Sequence, residues 1–143
     1  MEKIKRSALV PYSAQQMYQL VDDIEKYPEF VPYCKKSQIH SRSEAKVSAT
    51  LEVAKSGIAK SFTTQNLLTP HQCIEMTLVD GPFKHLKGGW HFTPLSEEAC
   101  KIELNLEFEF ANKLASFAFA NIFNQLVQSM VTAFTERAEK IYG

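Results

Sequence analysis

Cysteine is scarce in this sequence of 143 residues, and its three copies, Cys34, Cys73 and Cys100, lie far apart. An odd number of widely spaced cysteines fits neither a disulfide framework nor a zinc knuckle. We therefore expect reduced thiols and a cytoplasmic location. The first six residues lead into a mixed segment that lacks the apolar core of a secretory signal. No run approaches the roughly 20 apolar residues of a membrane span. The sequence thus predicts neither a secretory signal nor a transmembrane helix.

The sequence also has no net charge, since 16 basic residues balance 16 acidic ones. A neutral chain is not drawn by bulk electrostatics to nucleic acid or to an anionic membrane, and we expect no DNA partner. The basic and acidic residues are, however, unevenly distributed along the chain. Residues 33–91 carry eight basic and four acidic side chains, whereas both flanking segments are acidic. The basic middle segment can therefore contact a phosphate backbone locally.

Common catalytic motifs are missing as well. We find no nucleophile elbow, no paired-histidine zinc motif, no phosphate-binding loop and no dinucleotide fingerprint. The four histidines are scattered, and the six-residue spacing of His85 and His91 is not a standard ligand spacing. We predict neither a metal site nor a catalytic residue.

Apolar and polar residues alternate between Cys34 and Phe110, which is typical of antiparallel strands with one wet face. Glu103, Glu107 and Glu109 fall on the wet face, so we interpret them as solvated rather than catalytic. The inward positions share one property, the absence of any titratable group: Val47, Ala49, Leu51, Val53, Ile74, Met76, Leu78, Trp90, Phe92, Ile102, Leu104, Leu106 and Phe108. This set suits a plain core or an apolar guest. A cyclase would need a buried polar group, and the set offers none.

Segments with helical periodicity lie before and after the predicted strands between Cys34 and Phe110. Ser13 and Gln16 have capping-box spacing ahead of a short amphipathic helix, and the two prolines in 27–32 limit the next segment to a short helical turn. A long helix is predicted from Asn112, as its N-cap, to Ile141, with a polar tail that frays. Only this helix can cover the apolar face of six to seven strands. We predict a single α+β domain over residues 1–143, a curved antiparallel sheet wrapped around the C-terminal helix.

Three segments favour a binding role over a plain core. Leu114–Ala120 is apolar almost all round its helix. Tyr27–Tyr33 is an aromatic flap stiffened by proline. Gly81–Trp90 mixes basic, aromatic and glycine residues, and Gly88 and Gly89 allow close backbone approach or a bulge. For the last segment, a hairpin with ordinary surface lysines stays the simpler alternative.

Longer stretches resemble a known family. Val21–Cys34 resembles the helix-and-turn signature of the START-like coenzyme Q-binding family, within the polyketide cyclase/dehydrase-like superfamily. Asp80–Leu95 resembles its bacterial branch, the ribosome association toxins. Ser7–Ser13, Phe108–Phe110 and Thr132–Phe134 match further, so the resemblance spans essentially the whole chain.

The resemblance implies a helix-grip (START-like) fold with a hydrophobic cavity. Mitochondrial members bind ubiquinone and support respiration without catalysing a reaction. Bacterial members are described as binding the large ribosomal subunit and blocking subunit association. The label of polyketide cyclase rests on fold analogy, which is weak evidence for activity. We therefore expect a protein that is not an enzyme.

The resemblance leaves two hypotheses. The first is a lipid-binding protein that holds ubiquinone or a similar polyprenyl lipid as its bound ligand, with peripheral contact at the inner membrane for exchange. Alternation and motif position assign its cavity to Tyr27, Phe30, Val31, Tyr33, Leu51, Val53, Met76, Trp90, Phe92, Leu106, Phe108, Phe117 and Phe123. The alternative is a toxin that binds the large ribosomal subunit through Lys84, His85 and Lys87.

Overall fold

Seven antiparallel strands form one sheet in the computed structural model, which describes residues 1–112 and 117–143. The strands are β1 (Glu2–Val10), β2 (Cys34–Arg42), β3 (Lys46–Lys55), β4 (Ile58–Thr69), β5 (Cys73–Asp80), β6 (Phe83–Pro94) and β7 (Cys100–Phe110). They lie in the order β1-β7-β6-β5-β4-β3-β2, so β1 and β2 are the two edges. This confirms the predicted α+β fold with a curved sheet.

Two helices and a short 3₁₀ segment accompany the sheet: α1 (Ala14–Asp22), the 3₁₀ segment (Ile24–Glu29) and α2 (Phe117–Tyr142). The predicted capping box is present. The Gln16 backbone N–H donates to the Ser13 hydroxyl at 3.1 Å, and the Ser13 N–H donates to Oε1 of Gln16 at 3.0 Å. These bonds satisfy donors that a helix start otherwise leaves open, which fixes where α1 begins.

The end of α2 corrects one expectation. The polar tail does not fray, because α2 continues to Tyr142 and Ala138 within it is completely buried. The Tyr142 hydroxyl donates to the Gln16 carbonyl at 3.2 Å, which ties this end to α1. Residues 113–116 lie outside the described residues, and with them the first turn of the predicted helix, which Asn112 is expected to cap, and the first part of Leu114–Ala120.

The helix α2 rests on the inner face of the sheet through two aromatic clusters. In the first cluster, Phe119 and Phe123 contact phenylalanines of the sheet. In the second cluster, Phe134 packs edge-to-face on Trp90 at 5.2 Å and on Phe30 at 5.1 Å between ring centres. The sheet residues of the first cluster are Phe62, Phe83, Phe108 and Phe110. Edge-to-face pairs contribute beyond the apolar area they bury, so the two clusters fix the position of α2.

Two adjacent glycines allow β6 to lie close to both of its neighbours. A Cβ atom on Gly89 would overlap the Ile74 carbonyl oxygen of β5, and one on Gly88 would overlap the Asn105 carbonyl oxygen of β7. Gly88 also has a φ of +149°, which side chains rarely adopt. These glycines therefore allow the backbones of β5 and β7 to lie close to β6.

We predict that Gly89→Ala destabilises the fold by about 3 kcal/mol, since the added methyl group meets rigid backbone on a central strand. Gly57→Ala is the matched control. Its Cβ meets nothing within 4 Å, and only its φ of +83° opposes the substitution, at a cost of about 1 kcal/mol. Urea denaturation of both variants measures the difference, and equal losses would contradict this account of β6.

Candidate functional site

A small cavity of about 60 Å³ lies between α2 and the inner face of the sheet, in the interval between the two aromatic clusters. Its wall is almost entirely apolar. The lining residues are Ile24, Tyr27, Ala49, Leu51, Phe62, Thr64, Asn66, Met76, Leu86, Trp90, Leu106, Phe123, Leu126, Val127 and Met130. The sheet, the 3₁₀ segment and α2 therefore all contribute side chains to one wall.

Six of the thirteen residues predicted for the cavity line it: Tyr27, Leu51, Met76, Trp90, Leu106 and Phe123. The other seven lie elsewhere. Val53, Phe92 and Phe108 face inward as alternation requires, but neighbouring side chains cover them completely or nearly so. Phe92 packs on Tyr18, and Phe108 belongs to the first aromatic cluster. Alternation predicts the face of a strand that a residue occupies, but not its position along the cavity.

The flap residues also point elsewhere. Phe30 packs on Phe134 and under the Arg137 guanidinium, 4.8 Å from its ring centre, and Val31 is part of the core. Tyr33 has a left-handed φ of +66°, and its ring lies under the Lys55 ammonium at 5.0 Å. The flap therefore closes one side of the core and contributes only Tyr27 to the cavity.

Phe117 is 79% exposed, so its assignment to the cavity is a misplacement. Phe119, two residues later, is buried against the sheet. Two residues on a helix differ by about 200° in direction, so both rings cannot face the sheet. The end of Leu114–Ala120 that the structure describes thus has one buried and one exposed side.

Two buried polar residues of the cavity wall, Thr64 and Asn66, are absent from the predicted set. Thr64 is 8% exposed and Asn66 is 6% exposed. Phe62, Thr64 and Asn66 are alternate residues of β4. Alternation starting from the apolar Phe62 would therefore have placed Thr64 and Asn66 on the inner face. That signal is weak because the outward neighbours on this strand, Thr63 and Gln65, are polar as well. The inner face is therefore not wholly free of buried polar groups, which corrects the expectation.

The two residues form a polar pair in apolar surroundings. The Thr64 hydroxyl donates to Oδ1 of Asn66 at 2.8 Å. Across the sheet, Asn66 lies opposite Val47 on β3 and Met76 on β5, and neither neighbour offers a polar side chain. Among the described residues, no acceptor is found for the Asn66 side-chain N–H groups.

Among the lining residues that the structure describes, Tyr27 is the one with a titratable side chain. Its hydroxyl donates to the Val21 carbonyl, and its ring packs on Phe134 at 5.4 Å. Burial raises the pKa of Tyr27 far above its usual value, so the phenol stays protonated at any physiological pH. Its hydroxyl therefore holds α1 and the 3₁₀ segment together rather than acting as an acid or base.

The carboxylates of β7 lie on the outer face, as predicted. Glu103 is held between Lys5 at 3.5 Å and Lys101 at 3.8 Å. Slight burial raises the pKa of Glu103, but the Asn105 amide and the two lysines outweigh it and hold the pKa below its usual range. Ionised and solvated groups of this kind fit the structural interpretation. Within the described ranges, no group of three or more His, Cys, Asp or Glu side chains could hold a metal ion.

The predicted ribosome contacts lie on β6, next to these carboxylates. Lys84 and Lys87 are exposed, and His85 is half-buried with an Nε2 atom that has no partner in the part of the chain described. Lys87 lies 3.8 Å from Glu107, which also holds Lys3 at 3.5 Å. The outer face therefore presents Lys84 and Lys87, and the charge of Lys87 is partly neutralised by Glu107.

Residues 10–135 match the family described as polyketide cyclase / dehydrase and lipid transport. The chain belongs to this family. It is 56% identical over 143 residues to the ribosome association toxin RatA of Vibrio cholerae, covering 100% of this chain and 99% of that protein. It is 32% identical over 141 residues to the mitochondrial coenzyme Q-binding protein COQ10 homolog B of Xenopus laevis, covering 96% of this chain and 58% of that protein.

A solved aromatase/cyclase of a Streptomyces, Zhui, matches the fold with a TM-score of 0.87 at 16% identity, covering 99% of this chain and 96% of that one. The match shows a shared helix-grip architecture. Within residues 1–112 and 117–143, none of the helices combines the length and the apolar character needed to span a bilayer.

We predict that the three cysteines differ in their reactivity toward thiol reagents. Burial raises the pKa of both Cys34 and Cys100 to about 11, so only about one in a thousand of these thiols is ionised near pH 8. Cys73 is half-buried. We expect Ellman's reagent to label one thiol quickly in the folded protein and three after denaturation. The Cys73→Ser variant should lose the fast phase, and two fast thiols in the folded protein would contradict the burial assigned here.

Proposed function

We propose that this protein is a ribosome-associating toxin of the RatA type, which binds the large ribosomal subunit and opposes subunit association. The observation that carries the proposal is 56% identity over the full length of the chain to a protein of that name. A cytoplasmic location accompanies this role. A fold shared with coenzyme Q-binding relatives supports binding rather than catalysis, and the one titratable group among the described lining residues, the Tyr27 phenol, is occupied in a hydrogen bond to Val21. We therefore propose a protein that is not an enzyme.

The lysines of β6 support this role to different degrees. Lys84 is exposed, and no carboxylate lies within ion-pair distance of it among the described residues. Lys87 must leave Glu107 before it can neutralise a phosphate group. Because contact with a phosphate backbone releases counterions, binding through these side chains weakens with salt. Lys84 is therefore the stronger candidate contact.

We predict that Glu107→Gln strengthens binding to purified large ribosomal subunits about threefold, because it frees both Lys87 and Lys3. Lys84→Ala should weaken binding and reduce its dependence on salt. Co-sedimentation at several salt concentrations measures both effects.

The matched control for the lysine is Lys140→Ala, which removes the same charge from the last turn of α2. If Lys84→Ala and Lys140→Ala behave alike and Glu107→Gln changes nothing, the contact does not lie on β6. If the unaltered protein fails to sediment with the large subunit, the proposed function is wrong.

A second candidate function is the binding of an apolar molecule, such as a polyprenyl quinone, in the cavity. The apolar wall favours it, as does the 32% identity to a coenzyme Q-binding protein. Burial of apolar area, at about 25 cal/mol per Å², supplies affinity with few polar contacts. Peripheral contact with a membrane is then needed only for exchange.

The cavity must widen to take such a guest, because ligand pockets usually enclose about 300 Å³ or more. We propose that the 3₁₀ segment is the part of the wall that moves, because side-chain contacts rather than strand hydrogen bonds hold it to α2. It is held to α2 by an ion pair between Glu29 and Arg137 at 3.0 Å and by the stacking of Arg137 on Phe30. The rings of Tyr27 and Phe30 also pack on Phe134 of α2. None of these contacts is a strand hydrogen bond, so the segment can open without breaking the sheet.

We predict that organic extraction of the purified protein, expressed in a quinone-producing bacterium, yields quinone near one per chain by mass spectrometry. Leu51→Asp places a charge in the cavity wall and should abolish retention. Leu9→Asp, the same change at a leucine that is 72% exposed, should retain quinone. Equal retention by both folded variants would overturn the assignment of the cavity.

A further inference from the structure

We infer that the side-chain amide of Asn66 donates a hydrogen bond to a neutral carbonyl oxygen of the molecule that the cavity takes up. The inference rests on the second candidate function, cavity binding, and names the chemical class of the ligand: an apolar molecule that carries a carbonyl group. Asn66 then selects the ligand, and Thr64 positions Asn66.

The first observation is an unsatisfied donor inside an apolar wall. Asn66 is 6% exposed and lines the cavity, and its cross-strand neighbours Val47 and Met76 are apolar. Its oxygen is used by Thr64, whereas its N–H groups find no acceptor among the described residues. The amide nitrogen itself is not sealed off from solvent, so it is open to an acceptor that enters the cavity. An acceptor brought by a guest satisfies this donor.

The second observation is the orientation of the amide. Because the Thr64 hydroxyl donates to Oδ1 at 2.8 Å, the nitrogen end of the amide is the end left for a guest. The site therefore matches a group that accepts hydrogen bonds and mismatches one that only donates them. Thr64 acts through Asn66 and is a positioning residue.

The third observation is the absence of positive charge in the wall. No Lys, Arg or His is among the lining residues that the structure describes. A carboxylate buried here would have no counter-charge and would bear the full desolvation penalty. Quinones, ketones and esters fit this site, whereas ionised fatty acids do not.

Trp90 makes a direct test possible. It is the single tryptophan of the chain, it is 1% exposed, and it lines the cavity. Quenching of its fluorescence by decyl-benzoquinone therefore reports occupancy. Decylbenzene has the same alkyl tail but no carbonyl group. Competition between decylbenzene and decyl-benzoquinone measures the affinity of the protein for the hydrocarbon.

We expect the unaltered protein to prefer decyl-benzoquinone over decylbenzene about tenfold and to bind decanoate weakly. Asn66→Leu should abolish the preference while keeping affinity for decylbenzene. Thr64→Val should reduce the preference, and Thr64→Ser, which restores the hydroxyl, should recover it. Gln65→Leu and Thr63→Val make the same changes on the outer face and should leave the preference intact.

Thermal denaturation verifies that each variant is folded. Equal affinity of the unaltered protein for the quinone and the hydrocarbon, or an unchanged preference in Asn66→Leu, would overturn the role of Asn66 while leaving cavity binding in place. If neither probe quenches or competes, cavity binding fails together with the inference drawn from it. Tight binding of decanoate would overturn the restriction to neutral carbonyl compounds.

Discussion

The contact between α2 and the sheet, made by aromatic rings at two separate places, is the constraint on which the rest of the structure depends. Phe123 belongs to the first cluster and Phe134 is the centre of the second, about 16 Å further along the helix. Between them, α2 presents the smaller side chains Leu126, Val127 and Met130. Because aromatic rings hold α2 away from the sheet at these two places, the helix cannot move closer to the sheet between them. The cavity is the space that remains.

Much of this architecture could be predicted from local pattern. Alternation gave the strands and their faces, and the capping box of Ser13 gave the start of α1, because both depend on neighbours in the sequence. The position of a residue along the cavity depends on which distant side chain reaches it first. Phe108 and Phe92 are therefore covered, whereas Leu51 and Met76 line the cavity. Asn66 was missed since polar residues occupy both faces of β4.

The interior and the outer face have separate chemistries. In the part of the wall that the structure describes, the cavity is apolar apart from Tyr27 and the polar pair Thr64 and Asn66, whereas the outer face of β6 and β7 carries lysines and carboxylates. The relatives divide in the same way by name, one after the ribosome and the other after coenzyme Q. Because the sheet separates the two surfaces, the proposed ribosomal contact and the proposed apolar guest are compatible on one chain.

Separation of the two surfaces is best tested by measuring ribosomal subunit association in sucrose gradients with the Asn66→Leu variant. This substitution changes the interior and leaves the lysines of β6 untouched. If the surfaces are independent, the variant releases free subunits as effectively as the unaltered protein. A folded Asn66→Leu protein that no longer affects subunit association would contradict this separation and would show that the content of the cavity controls the ribosomal contact.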